Sequence, residues 1–237
     1  MREGRRIGVV IPALDEEAAI GKVVAAIPSW VDAIVVADNG SRDRTAEVAR
    51  AAGAIVVTET SPGYGAACLA GLAALPATDI VVFLDGDYSD YPEDMPTLVD
   101  PILAGRADLV IGSRVLGRAE KGALTPQQRL GNGLATWLIR MIWRARYTDL
   151  GPFRAIRRAA LDGLAMADRD FGWTVEMQIK AAEAGLAHVE VPARYRPRIG
   201  VSKISGTILG TVRAGTKILA IIARHALRGA IARQSST

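Results

Sequence analysis

Cysteine is almost missing from this chain. The one residue of that type, Cys68, excludes an intramolecular disulfide framework and fits a reducing compartment. It lies in an apolar stretch with no histidine nearby. A packed core thiol is therefore expected rather than a nucleophile, which needs an activating neighbour. Histidine is scarce too. His188 and His225 stand far apart in sequence, which argues against a histidine-based zinc site. No run reaches the roughly 18 consecutive apolar residues of a membrane span. The start, MREGRRIGVVIPAL, is basic and then apolar. Its apolar part is too short for a signal peptide and runs into Asp15, Glu16 and Glu17, so it reads as a first strand. Nor does one sign of charge dominate: 29 Lys and Arg against 25 Asp and Glu leave +4, too small an excess to indicate nucleic acid. Internal repeats, low-complexity tracts and an interdomain linker are all absent.

What is present is apolar and regular. Half of the 237 residues are hydrophobic, enough for one large α/β domain. Short β-branched runs alternate with helical spacing through the first half. Strands are expected at Ile7–Ile11, Ala33–Ala37, Ala54–Val57, Ile80–Leu84 and Leu109–Ile111. Helices are expected at Ala18–Ile27, Thr45–Ala52, Gly65–Leu75 and Met95–Leu103. Continuous rather than alternating apolar runs indicate strands buried on both faces of a mostly parallel sheet flanked by helices. The second half is less regular. It offers helices at Leu130–Trp143 and around Thr174–Ala184, a strand at His188–Val191 and a long helix from about Ser205. The stretch Leu116–Gly122 reads as a loop. The expected division is a catalytic domain over 1–204 and a helix with its tail over 205–237.

In such sheets ligands bind at the carboxyl ends of the strands. Those ends read PALDEE, DNGSRDRT, SPGYGAA, DGD and GSR: three acidic, one glycine-rich and one basic. Singly, each has an ordinary reading. Asp38 and Asn39 suit a turn, Asp43 suits a helix cap, and GYG suits a helix start. Together they place chemistry on one edge. The fourth end is the sharpest. Asp85 and Asp87 stand one residue apart with Asp90, Glu93 and Asp94 following, and like charges this close repel. A divalent cation relieves that repulsion, and hard carboxylate oxygens suit Mg²⁺ or Mn²⁺ completed by substrate phosphates. Gly86 allows the close approach. Cations follow in the later sequence: Arg114, Arg129, Arg154, Arg157 and Arg158, then Arg194, Arg196, Arg198 and Lys203. A metal held by acids and faced by arginines is what a diphosphate requires.

The ordered set PALDEE, VADNGSRDRT, DGDYSDYPED, IGSR, TDLGPFRAIRR and RIGVSK resembles family 2 glycosyltransferases of the GT-A fold. Within that family it is most similar to the dolichyl- or polyprenyl-phosphate sugar synthases, over roughly residues 7–215. The resemblance implies a UDP- or GDP-sugar donor, a lipid-phosphate acceptor and a metal cofactor. It also implies roles. Pro12, Leu14, Glu16, Asp38 and Asn39 would line the nucleoside, and Asp85 and Asp87 would hold the metal with Ser89 close by. Arg114 would face the phosphates, while Arg198 and Lys203 would close over the donor. Arg129 and Arg154 would meet the acceptor phosphate. The chain departs from the pattern at Asp15, Asn39 and Tyr64, which bears on base and sugar preference.

A lipid monophosphate acceptor is already anionic and needs no base, whereas a hydroxyl acceptor does. Glu176 is either that base or a structural carboxylate. On a helix from Ser205, Arg213, Lys217, Arg224 and Arg228 fall within about 60° of one another, with Ile208, Leu209, Val212, Leu219, Ile222, Ala226 and Leu227 on the other side. This amphipathic helix suits either an anionic membrane interface on the cytoplasmic face or docking on the domain. Trp137 and Trp143 are either interfacial anchors or core residues. The leading expectation is a metal-dependent, inverting hexosyltransferase acting on polyprenyl phosphate. The alternatives are a GT-A enzyme with a soluble hydroxyl acceptor, a sugar-phosphate nucleotidyltransferase and a non-catalytic binding module.

Overall fold

A computed structural model describes residues 1–117, 119–200 and 208–234. Lys203 lies outside them. The first half alternates as its sequence pattern requires. Strands β1 (Ile7–Ala13), β2 (Ala33–Asp38), β3 (Ile55–Thr58), β4 (Ile80–Phe83) and β5 (Leu109–Ser113) are separated by α1 (Ile20–Ala26), α2 (Thr45–Ala51), α3 (Tyr64–Ala74) and α4 (Met95–Leu103). Then follow α5 (Pro126–Trp143), β6 (Arg154–Arg157), α6 (Arg158–Leu164), α7 (Trp173–Glu183), β7 (His188–Pro192) and α8 (Ile208–Gln234).

The seven strands form one sheet in the order β3-β2-β1-β4-β6-β5-β7. All pairings are parallel except those of β6, which runs antiparallel between β4 and β5. The expected mostly parallel sheet is therefore found with one insertion. Strand β6 and helix α6 had no place in the sequence reading. The reason is local: Arg-Ala-Ile-Arg is too short and too charged to announce a strand, and only pairing on both edges buries Ala155 and Ile156.

Every residue of β1, β4 and β5 is buried. Successive side chains point to opposite faces. Val10, Val81, Phe83, Leu109 and Ile111 pack under α3, α5, α6, α7 and α8, while Ile7, Val9, Ile11, Val82 and Val110 pack under α1 and α4. Cys68 is fully buried in the first of these layers, as a core thiol should be. Burial in both layers explains the unbroken apolar runs. Helix α5 begins earlier than its apolar spacing indicates because Thr125 and Gln128 form a reciprocal capping box ahead of Pro126.

Candidate active site

The carboxyl ends of β1, β2 and β4 lie on one edge and open into a cavity of about 810 Å³. Pro12, Leu14 and Glu16 enter it from the end of β1, Asn39 from β2, and Asp85, Gly86 and Asp87 from β4. Tyr64 of α3, Asp170 and Phe171 before α7, Arg198, and Arg213, Thr216 and Lys217 of α8 complete the wall.

The turn after β4 is built to hold its carboxylates. Tyr88 takes a positive φ of 63°, so the chain folds back sharply. Asp87 Oδ1 accepts from Ser89 N (2.9 Å) and from Ser89 Oγ (2.6 Å), leaving Oδ2 to Arg198 Nη1 at 3.2 Å. Asp85 Oδ1 accepts from the Tyr64 hydroxyl at 3.0 Å. Burial first, and the neighbouring Asp87 charge second, push the Asp85 carboxyl up to about 7. Asp90 is buried and held well above the usual carboxylate range, again by burial and then by Asp85 and Asp87. Its Oδ1 has no hydrogen-bond partner among the described residues. Arg198 bridges Asp87 and Glu16.

This arrangement fits a divalent cation. Three acids crowd one turn, and among the described residues the only ion pair any of them makes is that of Asp87 with Arg198, with Arg114 acting at longer range. No three His, Cys, Asp or Glu side chains among the described residues form a ready metal cage. Asp85 and Asp87 supply the one or two carboxylates that Mg²⁺ or Mn²⁺ takes alongside substrate oxygens.

Several expected site residues are elsewhere or otherwise engaged. Arg154 is completely buried, and its guanidinium donates to the carbonyls of Leu150, Gly151 and Thr174. Burial lowers it to about 10. It holds the scaffold and cannot reach an acceptor. Arg114 forms a two-pronged pair with Asp149, at 2.7 Å for both bonds, and lies over the Tyr195 ring. Two of its five N–H donors are thus engaged by Asp149. Glu176 is buried in the first turn of α7, accepts from Asp168 N at 2.8 Å and pairs with Lys180 at 2.8 Å. In this structure the carboxylate is engaged by backbone amides and a lysine. Ser89 spends its hydroxyl on Asp87, so it orients a carboxylate rather than meeting metal. Asp38 is buried, with its carboxylate toward Ser41 N, and does not line the cavity. Asn39 lines it, but its amide carries the 59–63 turn, donating to Glu59 and Ser61 carbonyls and accepting from Gly63 N. Arg129 is exposed on α5, outside the cavity.

Helix α8 is docked on the domain. Ile221, Ile222 and His225 are buried, while Leu219 and Leu227 are exposed. Arg213 and Lys217 line the cavity, and Lys217 pairs with Asp168 at 3.1 Å. The supposed lipid-facing apolar side is thus partly spent on the protein, and half of its basic stripe faces the site. The docking is close: a Cβ on Gly172 would meet Ile221 Cδ1 at 1.7 Å, so a larger residue there would push the end of the Ile221 side chain aside. The side chains of Ile208, Leu209 and Val212 lie outside the described residues. Sequence reasoning missed the part of Tyr64, Asp170, Arg213 and Lys217 in the cavity. Only Tyr64, at the turn before α3, had a positional signal.

The family model described as "Glycosyl transferase family 2" matches residues 8–165. An uncharacterised glycosyltransferase of Mycobacterium tuberculosis is 42% identical over 89% of this chain and 95% of its own. A dolichyl-phosphate hexose transferase of Haloferax volcanii is 34% identical over 94% and 96%. Among solved structures, glucosyl-3-phosphoglycerate synthase of M. tuberculosis, in complex with Mn²⁺, UDP and glucosyl-3-phosphoglycerate, superposes with a TM-score of 0.76. It is 27% identical, over 94% of this chain and 80% of that one.

Proposed function

The chain belongs to glycosyl transferase family 2, and from that premise we propose that it moves a hexose from a nucleoside diphosphate donor to an acceptor bearing a phosphate group. The observation that carries this reading is the crowded acid cluster of Asp85, Asp87 and Asp90, of which Asp85 and Asp87 line a cavity that Arg213 and Lys217 also line. Asp85 and Asp87 would hold Mn²⁺ or Mg²⁺, which supplies charge compensation to the departing diphosphate. Pro12, Leu14 and Asn39 would line the nucleoside side. Arg198 would exchange its contact with Asp87 for the donor phosphates.

Two acceptor chemistries are each favoured by an observation. A soluble phosphate ester attacking through a hydroxyl is supported by the superposition on glucosyl-3-phosphoglycerate synthase. It needs a base, and Asp170, which lines the cavity, would serve as that base. A lipid phosphate attacking through its own anionic oxygen is supported by the full-length similarity to the dolichyl-phosphate hexose transferase and by the engagement of Glu176 elsewhere.

The deciding experiment supplies UDP- and GDP-hexoses with Mn²⁺. It then offers 3-phosphoglycerate, glycerol 3-phosphate or a short polyprenyl phosphate in detergent, following nucleoside diphosphate release and acceptor glycosylation together. Turnover with a phosphoglycerate-type acceptor, lost in Asp170→Asn, supports the first chemistry. Turnover with polyprenyl phosphate, retained in Asp170→Asn, supports the second. Turnover only with acceptors that carry no phosphate would overturn the proposal.

A further inference from the structure

Helix α5 is apolar on two opposite sides. Ala135 and Ile139 are buried in the core layer beneath it. Leu130, Leu134, Trp137 and Met141 are 76%, 44%, 56% and 63% exposed. Their spacing of four, three and four residues keeps them within about 60° of one another on the helix, turned away from the buried side. Together they form a continuous ridge on the outer surface, where single exposed apolar residues need no explanation but an aligned set does. Helix α8 packs against α5 and adds Leu227, 65% exposed. Trp143, by contrast, is partly buried against the core and donates to Glu183, so it takes no part in the ridge.

The charge carried by the two helices themselves has one sign, and Glu183 of α7, an acid beside them, is held by Trp143 and His225. Neither α5 nor α8 contains an aspartate or glutamate anywhere in its sequence. Arg129 and Arg140 flank the ridge on α5, and Arg224 and Arg228 are exposed on α8. A second copy of the chain is a poor occupant, because a two-fold contact would set the basic side chains of these acid-free helices against each other. A membrane span is not available either: no helix among the described residues is long and apolar enough to cross a bilayer. An anionic interface with an apolar layer just beneath it answers both features. Leucine, methionine and tryptophan enter the headgroup boundary while arginines meet lipid phosphates.

We propose that the outer ridge of α5, with the neighbouring exposed part of α8, is the surface by which this protein sits on an anionic lipid bilayer. The inference stands apart from the acceptor chemistry, since a peripheral enzyme can use either kind of acceptor. It also gives Arg129 a place, at the membrane rather than at the acceptor phosphate.

The test is flotation of the full chain with vesicles of phosphatidylcholine, with and without about a third phosphatidylglycerol. The wild type is expected to float with the anionic vesicles, weakly with the neutral ones, and less as salt rises. The double variant Trp137→Glu with Met141→Glu is expected to lose at least about tenfold in partitioning, with an unchanged melting temperature because both residues are exposed. Failure of the wild type to bind anionic vesicles at low salt would overturn the proposal, as would flotation unaltered by the double variant. A wild-type dimer that the double variant dissociates would overturn it in favour of a second copy on the ridge.

Discussion

Two groups of charges in this protein differ in what surrounds them. At the ends of β1 and β4, Glu16 and Asp87 pair with Arg198 while Asp85 and Asp90 form no ion pair among the described residues, and one buried carboxylate oxygen of Asp90 is left without a partner there. Between β5 and α7, Arg114 is matched to Asp149, Glu176 to Lys180 and two backbone amides, and Arg154 to three carbonyls. The first group is short of positive charge. The second is already satisfied. Both contain buried charge, so burial alone does not mark a functional site. The mark is what remains unpaired once the protein's own partners are counted. That distinction can be broken or sharpened by substitutions in each group.

The largest effect is expected in the first group. Asp87→Ala should lower sugar transfer about a thousandfold, because it removes a carboxylate proposed to hold the metal beside the diphosphate. The fold should be kept. Arg198 retains Glu16, and Asp85 loses the neighbouring charge that helps push its carboxyl to about 7. Steady-state rates measured beside a thermal melt check this. A loss of less than tenfold, or a collapse of the melt, would place Asp87 with the satisfied charges instead.

Arg154→Met should show the reverse pattern. It strands the carbonyls of Leu150, Gly151 and Thr174 in the core, at a cost of about 3 kcal/mol of stability. The fraction that stays folded should keep its rate. Denaturant unfolding measures the first quantity, and activity corrected for folded protein measures the second. An unchanged stability with a raised acceptor KM would mean that the arginine meets substrate after all.

The contrast also explains what the chain's letters disclosed. Parallel strands project their ends to one edge, so Asp85 and Asp87 could be placed from order alone, and Pro12, Leu14, Glu16 and Gly86 with them. Strands β1, β4 and β5 were legible because burial on both faces writes unbroken apolar runs, while β2 and the more exposed edge strand β3 were legible from their β-branched runs alone. Past β5 those regularities lapse. Strand β6 is four residues with an arginine at each end, and its burial comes from neighbours far away in sequence. An arginine letter carries a charge but not a direction. Arg154 turns into the core, Arg114 onto Asp149 and Arg213 toward the cavity, and no local spacing separates these cases. The periodicity past Ser205 gave a helix, and α8 spans Ile208–Gln234. What it could not give was the rotation of that helix on the domain, which the close contact of Ile221 with Gly172 fixes.

Glu176 offers the smallest effect and the finest test of the contrast. Its carboxylate accepts backbone amides of Ala167 and Asp168 and binds Lys180, so it secures the loop that carries Asp170 into the cavity. Glu176→Gln keeps an acceptor oxygen for the amides and gives up the charge, which should cost about 1 kcal/mol in stability. A buried pair with Lys180 that loses one partner sets the upper end of that loss, moderated because Lys180 also donates to the Ala165 carbonyl at 2.7 Å. The catalytic rate should stay within about threefold, since no proton passes through a carboxylate whose oxygens already hold amide donors. The pH profile of kcat should be unmoved. A rate falling a hundredfold with a shifted acidic limb would return Glu176 to the role of base, and would show that a charge satisfied in the resting protein can be released when substrate arrives.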